Sequence, residues 1–244
     1  MITRADYQRN RFEFLSRLVN IKTTTGLEIG ASDLPTVKAF AGECFHANSR
    51  SKSEMVSLWK LDPNEVPDVD YIVPRNGLLS QTISDRKFDY IVLAHVLEHI
   101  ADPIGYIQDL SKLLNDKGVI MMAIPDKRRT SDQSRELTRI EHLLNDHYER
   151  STYPSLEHIM NFAPCVIDEL RGKGSAELYR WAKQNHESGN ADVHCHVWTD
   201  EHFFKQMDEL ILGGLLPGVS ILRKWPNSGD FNEFIIGLQV RKAK

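Results

Sequence analysis

The sequence has few cysteines, no long apolar run and no large excess of charge of one sign. Its three cysteines, Cys44, Cys165 and Cys195, form neither a CxxC pair nor an even disulfide framework, which is typical of a reducing compartment. The N-terminus carries charges throughout and lacks the apolar core of a signal peptide, and no apolar run approaches the length of a membrane span. We therefore expect a cytoplasmic protein without membrane insertion.

The charge balance argues against a nucleic-acid partner. The 244 residues include 30 Lys and Arg against 34 Asp and Glu, a formal net charge of -4, and the basic clusters are short. A protein that binds DNA or RNA needs a basic face to neutralise phosphates. The 41% of hydrophobic residues are enough to bury one sizeable core without disulfides or metals, so one main domain is expected.

The sequence does contain an alternation of short apolar strands and helices. The predicted strands are GLEIGA, ECFHAN, VDYIV, FDYIVLA and VIMMAIP, preceded by an N-terminal helix. Asp33 is predicted to cap a helix after the first strand, with Pro35 in its first turn and Gly42 at its end. Asp102 is predicted to cap the helix after the fourth strand. This alternation predicts a parallel sheet with helices on both faces.

The first strand ends in EIGAS, where the ligand crevice of an open α/β sheet begins. Gly30 allows backbone to approach a bound group, and Glu28 places there a carboxylate that suits a cation or an amine better than a phosphate. The stretch lacks the glycine array of a nicotinamide-dinucleotide site, which disfavours an oxidoreductase. Taken alone, it is equally compatible with an ordinary buried strand.

A second motif gives that stretch its context. The segment FDYIVLAHVLEHIADP resembles the fourth-strand region of class I S-adenosylmethionine-dependent methyltransferases, and with LEIGA upstream and LLNDKGVIMMAIPDK downstream the resemblance extends from about Leu27 to Asp126. It implies S-adenosyl-L-methionine as the cofactor. It also implies an α/β fold with a Rossmann-like, mostly parallel sheet, an antiparallel last strand, helices on both faces and a helical insert before the sixth strand.

The resemblance implies a set of cofactor-binding residues near the strand ends: Glu28, Gly30, Ala31, Asn48, Asn76, Ala94 and His95. Asn48 replaces the acid that usually closes the second strand and accepts bonds from ribose hydroxyls, and Asn76 stands in place of an acid beside the adenine. The further glycines of the family are missing, since the chain continues ASDLP. These departures predict weakened or lost binding, whereas the first-strand acid and the fourth-strand segment favour binding.

One domain, residues 1–244, is expected to contain four stretches. An N-terminal helix occupies 1–25, a cofactor-binding half 26–126, a helical insert 127–192 and C-terminal strands 193–244. The insert is predicted to form a lid over the site and to carry substrate specificity or a dimer contact, so a homodimer is one expected assembly.

Histidine is the natural base for methyl transfer to a hydroxyl at neutral pH, because its unperturbed pKa is about 6.5. If VHCHVW is extended, His194 and His196 face the same way as Trp198, and either histidine could be the base while the indole packs on a sugar ring. The same two histidines could chelate zinc or form a polar strand face. No third ligand is evident, so no metal site is predicted.

A predicted helix over SRELTRIEHLLNDHYE offers another base. Its polar stripe consists of Arg135, Arg139, His142 and Asp146. Its apolar stripe, predicted to be buried, consists of Leu137, Ile140, Leu144 and Tyr148. The polar stripe is either a solvated face or a site in which Asp146 orients His142. Asp126, at the end of the fifth strand, is predicted to face substrate.

The segments PDKRRTSDQSRELTRIEHLLNDHYE and HCHVWTDEHF further resemble a bacterial subgroup associated with glycan and surface-polysaccharide assembly. This resemblance implies a small-molecule or glycan acceptor and O-methylation of a sugar, nucleotide sugar or polysaccharide terminus. The catalytic candidates are His196, His142, His194 and Asp126. The alternative is a catalytically silent, methyltransferase-like protein that binds a partner in a biosynthetic assembly. A nucleic-acid methyltransferase is disfavoured because LAHVLEH lacks a Pro-Pro-aromatic turn.

Overall fold

Seven strands form one mixed sheet in the computed structural model, which describes residues 2–38, 41–74, 77–189 and 191–242. The strands are β1 (Thr25–Ile29), β2 (Glu43–Asn48), β3 (Tyr71–Ile72), β4 (Phe88–Ala94), β5 (Leu114–Pro125), β6 (Val219–Trp225) and β7 (Glu233–Val240). Their order is β3-β2-β1-β4-β5-β7-β6; β1 to β5 are parallel, and β7 is antiparallel to both of its neighbours. The predicted fold class, with its reversed last strand, is confirmed.

Eight α-helices surround this sheet in the described part of the chain. They are α1 (Arg4–Ser16), α2 (Lys52–Trp59), α3 (Leu79–Thr82), α4 (Pro103–Leu113), α5 (Ile140–Glu149), α6 (Leu156–Val166), α7 (Ser175–Glu187) and α8 (Asp200–Leu212). Asp102 caps α4 as predicted, because its carboxylate accepts the Gly105 amide at 2.8 Å. Helix α2 was not predicted; its sequence signal is the capping box of Ser51 and Glu54. No helix in the described ranges is long and apolar enough to cross a membrane.

The central strand β4 buries both of its faces. Tyr90 and Val92 pack with Phe14 of α1 on one side, whereas Ile91 and Leu93 join the larger core that includes α4 and α8. Successive strand side chains point to opposite faces, so a strand with two covered faces reads as a continuous apolar run. Each fully buried Leu or Ile contributes about 1.5–3 kcal/mol.

The helix predicted after β1 is absent from residues 31–38, and Gly42 therefore ends no such helix there. The backbone amides of Thr36 and Val37 instead donate to the buried Glu28 carboxylate at 2.7 and 3.2 Å. Backbone donors bound to this carboxylate cannot serve a helical ladder, so Glu28 holds the segment as a loop.

Residues 193–198, predicted to be extended, form no strand of the sheet and are irregular apart from one bridge at Trp198. The free edge of β5 that such a strand would need is occupied by β7. The amides of Cys195 and His196 both donate to the Glu98 carbonyl, at 2.7 and 3.2 Å, and one isolated bridge joins Trp198 to the end of β5. The prediction of a sixth strand at this position was wrong.

The stripes predicted for α5 match its burial only at Ile140, which packs on the core, and at Arg139, which is exposed. The helix begins only at Ile140, and on its predicted apolar face Leu144 is 39% and Tyr148 83% exposed. Asp146, on the predicted polar face, is buried, as is Arg135 in the loop before the helix. Both polar side chains are buried because α6 supplies partners, Asn161 for Arg135 and His158 for Asp146.

Candidate active site

A cleft of about 1020 Å³ opens at the carboxyl ends of β1, β2 and β4. This is the point where the strand order reverses, because β2 and β3 lie on one side of β1 while β4 and β5 lie on the other. Ligands of open α/β sheets bind at such a point. The volume is at the upper end of the range of about 300–1,000 Å³ that is typical of small-molecule pockets.

Three predicted cofactor residues line the cleft: Gly30, Asn48 and His95. Gly30 has a φ of 73°, and a Cβ at that position would lie 2.6 Å from Val96 Cγ2, so only glycine fits between β1 and this cleft wall. Asn48 closes β2, and its Nδ2 donates to the Ala31 carbonyl at 3.3 Å, which leaves the amide oxygen to accept from a ligand hydroxyl.

The other predicted cofactor residues are placed differently. Ala31 is buried and contributes the carbonyl that Asn48 holds, while Ala94 ends β4 behind the cleft surface. Asn76 lies outside the described residues. Glu28 is 1% exposed and does not line the cleft, so the expected contact with a cation or an amine is corrected to a contact with the loop amides. Burial raises its pKa, and the bonds from those amides oppose the rise.

His95 stands at the cleft rim in a left-handed conformation with a φ of 54°. Its Nε2 donates to the buried Glu233 carboxylate at 2.9 Å, and Arg11 pairs with the same carboxylate at 2.5 Å. Burial disfavours the ionised form of Glu233, but the bonds from His95 and Arg11 outweigh it and lower the pKa of this carboxyl group. The His95 ring is therefore fixed by an ionised partner.

None of the four predicted catalytic residues lines the cleft. Asp126 has a fully buried side chain that accepts from Arg128 and from Asn227 Nδ2, the latter at 3.1 Å. Burial opposes the ionisation of Asp126, but the Arg128 bonds prevail and lower its pKa. This carboxylate joins β5 to neighbouring loops rather than facing the cleft.

His194 also lies away from the cleft, with its Nδ1 2.5 Å from Asp132 and its ring 4.7 Å from that of His99. Trp198 is 1% exposed, and its Nε1 donates to Gln206 at 2.9 Å. The Trp198 indole, predicted to form a wall for a sugar ring, is therefore a core residue. Its ring is buried and has no face left for a sugar.

His142 and His196 meet in a separate cluster with Asp146 and His158, from three parts of the chain. The ring centroids of His142 and His196 lie 5.6 Å apart. Burial, together with the neighbouring imidazoles of His158 and His142, holds the pKa of His196 well below its usual range, so this ring is neutral.

An Asp-His pair that the sequence analysis missed does line the cleft. His147, near the end of α5, has its Nδ1 at 3.0 and 3.1 Å from the two Asp102 carboxylate oxygens. Within the described residues, its Nε2 has one polar contact, with Gln108 Nε2 at 3.5 Å. Asp102 had been predicted as a helix cap alone. The pairing has no local sequence signal, since 45 residues separate the partners.

A second histidine at the cleft, His99, lies in the LEH turn. Its Nδ1 is 3.1 Å from the Val193 carbonyl and 3.3 Å from an Asp192 oxygen. Burial lowers the pKa of His99, but Asp192 and Glu98 act more strongly together, and the net effect is a raised pKa. The raised pKa favours the charged form of this ring beside the Asp192 and Glu98 carboxylates.

Comparison with protein families resolves the class of this site. A family model for the methyltransferase domain matches residues 4–170, more than half of the chain. The chain belongs to this family. The match includes β1 to β5, most of the cleft lining and the Asp102–His147 pair of this methyltransferase-domain protein. A comparison with curated proteins gives no match.

Solved structures share the fold at low sequence identity. A protein from Listeria monocytogenes described as an S-adenosylmethionine-dependent methyltransferase is 12% identical, with a TM-score of 0.50 over 97% of this chain and 99% of that one. The plantazolicin methyltransferase BpumL in complex with SAH is 11% identical, with a TM-score of 0.50 over 98% and 85%. The N-methyltransferase NodS from Bradyrhizobium japonicum WM9 is 13% identical, with a TM-score of 0.47 over 97% of each chain.

Proposed function

We propose that this protein transfers a methyl group from S-adenosyl-L-methionine to a hydroxyl oxygen of an acceptor that contains sugar. The observation that carries the proposal is the Asp102–His147 pair at the cleft of a methyltransferase-domain sheet. A histidine oriented by a carboxylate, whose Nε2 meets a long 3.5 Å contact from Gln108 that an acceptor hydroxyl can replace, is the equipment that this reaction requires. The same pair is our reason for favouring an enzyme over the catalytically silent binding protein.

S-adenosyl-L-methionine is the cofactor, and the residues at the strand ends fit it. Gly30 lets the β1 turn lie close to a bound group, and the free amide oxygen of Asn48 can accept a ribose hydroxyl. His95 and Val96 supply the wall at the end of β4. When bound, the cofactor supplies a methyl group activated by its positively charged sulfur. Glu28 supports this site indirectly, through the loop that it holds.

His147 takes the role of base that was assigned to His142, His194 or His196 from the sequence. With its proton on Nδ1 and donated to Asp102, its Nε2 lone pair can remove the acceptor hydroxyl proton as the oxygen forms its bond to the methyl carbon. The imidazolium that results lies in the last turn of α5, where the helix dipole favours positive charge. Asp102 compensates the same charge.

The cleft surface is suited to a polar acceptor with a sugar ring. The Tyr148 ring is 83% exposed at the cleft edge, where an aromatic face can pack against the apolar side of a ring. Arg150 follows it at the end of α5 and also lines the cleft, where its guanidinium can pair with a phosphate. These two side chains support a nucleotide sugar or a phosphorylated glycan terminus as the acceptor.

The test begins with calorimetry of S-adenosylmethionine and S-adenosylhomocysteine binding. Methyl transfer from labelled cofactor to a panel of nucleotide sugars is then measured for the wild type, His147→Asn and His202→Asn. We expect His147→Asn to lower turnover by about 100-fold or more while cofactor affinity is preserved, because only the proton acceptor is lost. His202 on α8 lies away from the cleft and serves as the control. Unchanged turnover in His147→Asn would remove the proposed base, and a wild type that binds neither compound would remove the proposed enzyme.

A further inference from the structure

Three parts of the chain bring one carboxylate and three imidazoles to a single point behind the cleft. His142 and Asp146 come from α5, His158 from α6, and His196 from the irregular segment 193–198. Asp146 Oδ2 lies 3.2 Å from His142 Nε2, 3.3 Å from His158 Nε2 and 3.9 Å from His196 Nε2. The two α-helical imidazoles are 2.7 Å apart through their Nε2 atoms.

Protons alone leave this cluster unsatisfied. His158 Nδ1 accepts the Ser155 amide at 3.1 Å, so in the neutral ring the proton lies on Nε2 and is donated to His142 Nε2. The single lone pair of His142 Nε2 is then occupied, and this atom has no proton to donate to Asp146 Oδ2, 3.2 Å away. That oxygen is buried and has no aligned hydrogen bond, and neither has the buried His196 Nδ1. A buried carboxylate oxygen without a donor is costly, and a positive ion would compensate it.

We propose that His142, Asp146, His158 and His196 bind one divalent transition-metal ion, with Zn²⁺ the best match. Three imidazole nitrogens and one carboxylate oxygen form a ligand set that zinc prefers. Ligand bonds of about 2.0–2.2 Å in a tetrahedral site place neighbouring ligand atoms about 3.3 Å apart. The distances from Asp146 to His142 and His158 agree with this spacing, and a bound ion would move the two closer imidazoles apart.

Metal binding has a specific cost at the start of α6. His158 coordinates through Nε2 only when its proton moves to Nδ1, and Nδ1 can then no longer accept the Ser155 amide. The first turn of α6 gives up this capping contact and gains a link to α5 and to segment 193–198. Tyr153 and Pro154, directly before α6, line the cleft, so the ion would set the position of one cleft wall.

The site is structural because four protein ligands leave no open coordination position. Its neighbour Ala101, whose carbonyl lies 3.2 Å from His196 Nε2, separates it from the cleft. The proposal therefore does not depend on methyl transfer. The two can fail separately, since metal uptake is measured without cofactor or acceptor.

Metal uptake by the full chain tests the proposal. Protein stripped with a chelator is titrated with Zn²⁺ by calorimetry and with Co²⁺ by visible absorption, in which tetrahedral sites give intense bands. We expect one ion per chain for the wild type. Asp146→Asn, which keeps the shape of the side chain but removes its charge, should weaken Zn²⁺ binding by at least about 100-fold, since changes outside the ligand sphere already cost about 10–100-fold.

Variant controls keep the test decisive. His142→Gln changes a partly exposed ligand and gives a second variant if Asp146→Asn fails to fold by circular dichroism. His202→Gln, on α8, should bind Zn²⁺ like the wild type. The thermal midpoint should rise with Zn²⁺ in the wild type and in His202→Gln only. The proposal would be overturned by a folded wild type that takes up no Zn²⁺ or Co²⁺. It would also be overturned if Asp146→Asn and His142→Gln took up these ions as tightly as the wild type does.

Discussion

The sheet and the segment from 127 to 199 bury different kinds of side chain. In β4 and β5 nearly every buried residue is apolar, and hydropathy marks the strands directly. In the segment from 127 to 199, the buried set includes Asp132, Arg135, Asp146, His158 and His196, while Leu144 and Tyr148 of α5 are exposed. Hydropathy therefore identifies the buried side of the sheet but selects the wrong side of α5.

The difference has a physical cause. A parallel strand satisfies its polar backbone within the sheet, so its side chains need only be apolar to be buried. Around Arg135, by contrast, the guanidinium meets Asp132 at 2.7 Å, Asn161 at 2.9 Å and the His194 carbonyl at 2.9 Å. A polar group can be buried when partners from distant parts of the chain surround it. The spacing of apolar residues in the sequence predicts the two faces of a strand or a helix. It does not predict which distant residues will surround a buried polar side chain.

The largest effect is expected for Arg135→Met. The substitution keeps the apolar stem but removes the guanidinium from the buried Asp132 carboxylate, and we expect a loss of about 3 kcal/mol in the free energy of unfolding. Urea unfolding measures the change. Arg139→Met is the matched control, since this arginine is exposed and its Glu141 contact is 3.9 Å long, so it should change stability by less than about 0.5 kcal/mol. Equal losses of unfolding free energy in Arg135→Met and Arg139→Met would contradict the stabilising role of the buried polar contacts in this segment.

Glu233→Gln tests a buried polar group within the sheet itself. It removes charged hydrogen bonds to Arg11 and His95 and should cost about 2 kcal/mol at neutral pH. The folded-state pKa of Glu233 is lowered, so its stabilisation is full above the unfolded value of about 4.3 and is lost as the pH falls through the folded value. Urea unfolding from pH 7 to pH 3 should therefore show the wild type approaching the variant below about pH 4. A difference that is constant with pH would contradict the ionised pair.

The smallest effect is expected for Leu144→Gln on α5. The side chain is 39% exposed, so the change in unfolding free energy should stay within about 0.5 kcal/mol. Ile91→Ala in β4 is the buried counterpart and should cost about 2–5 kcal/mol. A loss of several kcal/mol in Leu144→Gln would instead indicate that the apolar face predicted from the sequence is buried.

Much of the sheet could be predicted because its information is local. All five parallel strands, the helix cap at Asp102 and the reversal of the last strand follow from short apolar runs, capping residues and the family resemblance. The absence of a helix after β1 could not be predicted from the sequence. It depends on the Glu28 carboxylate, which accepts hydrogen bonds from the amides eight and nine residues further along the chain. Likewise, residues 193–198 are excluded from the sheet because β7 pairs with the edge of β5 that they would need.

The site divides in the same way. Gly30, Asn48 and His95, which the family resemblance implies as cofactor residues, all line the cleft. They do so because the ends of parallel strands meet at one edge of the sheet. Asp102 and His147 were not paired, because α4 and α5 are brought together only by the packed fold. His142 and His196, interpreted from the sequence as alternative bases, instead lie together away from the cleft lining, and His158, which joins them, carried no signal of its own.

The two outer strands of the sheet affect how it can meet another chain. β3 has only two residues, so it offers very little backbone for a further strand. At the opposite edge, β6 carries Arg223 and Lys224, and its register with β7 shifts between Ile221 and Arg223. Charged side chains and irregular register both discourage edge-to-edge pairing. The sheet is therefore protected against growth by strand addition, and association between two copies would have to use helical surfaces instead.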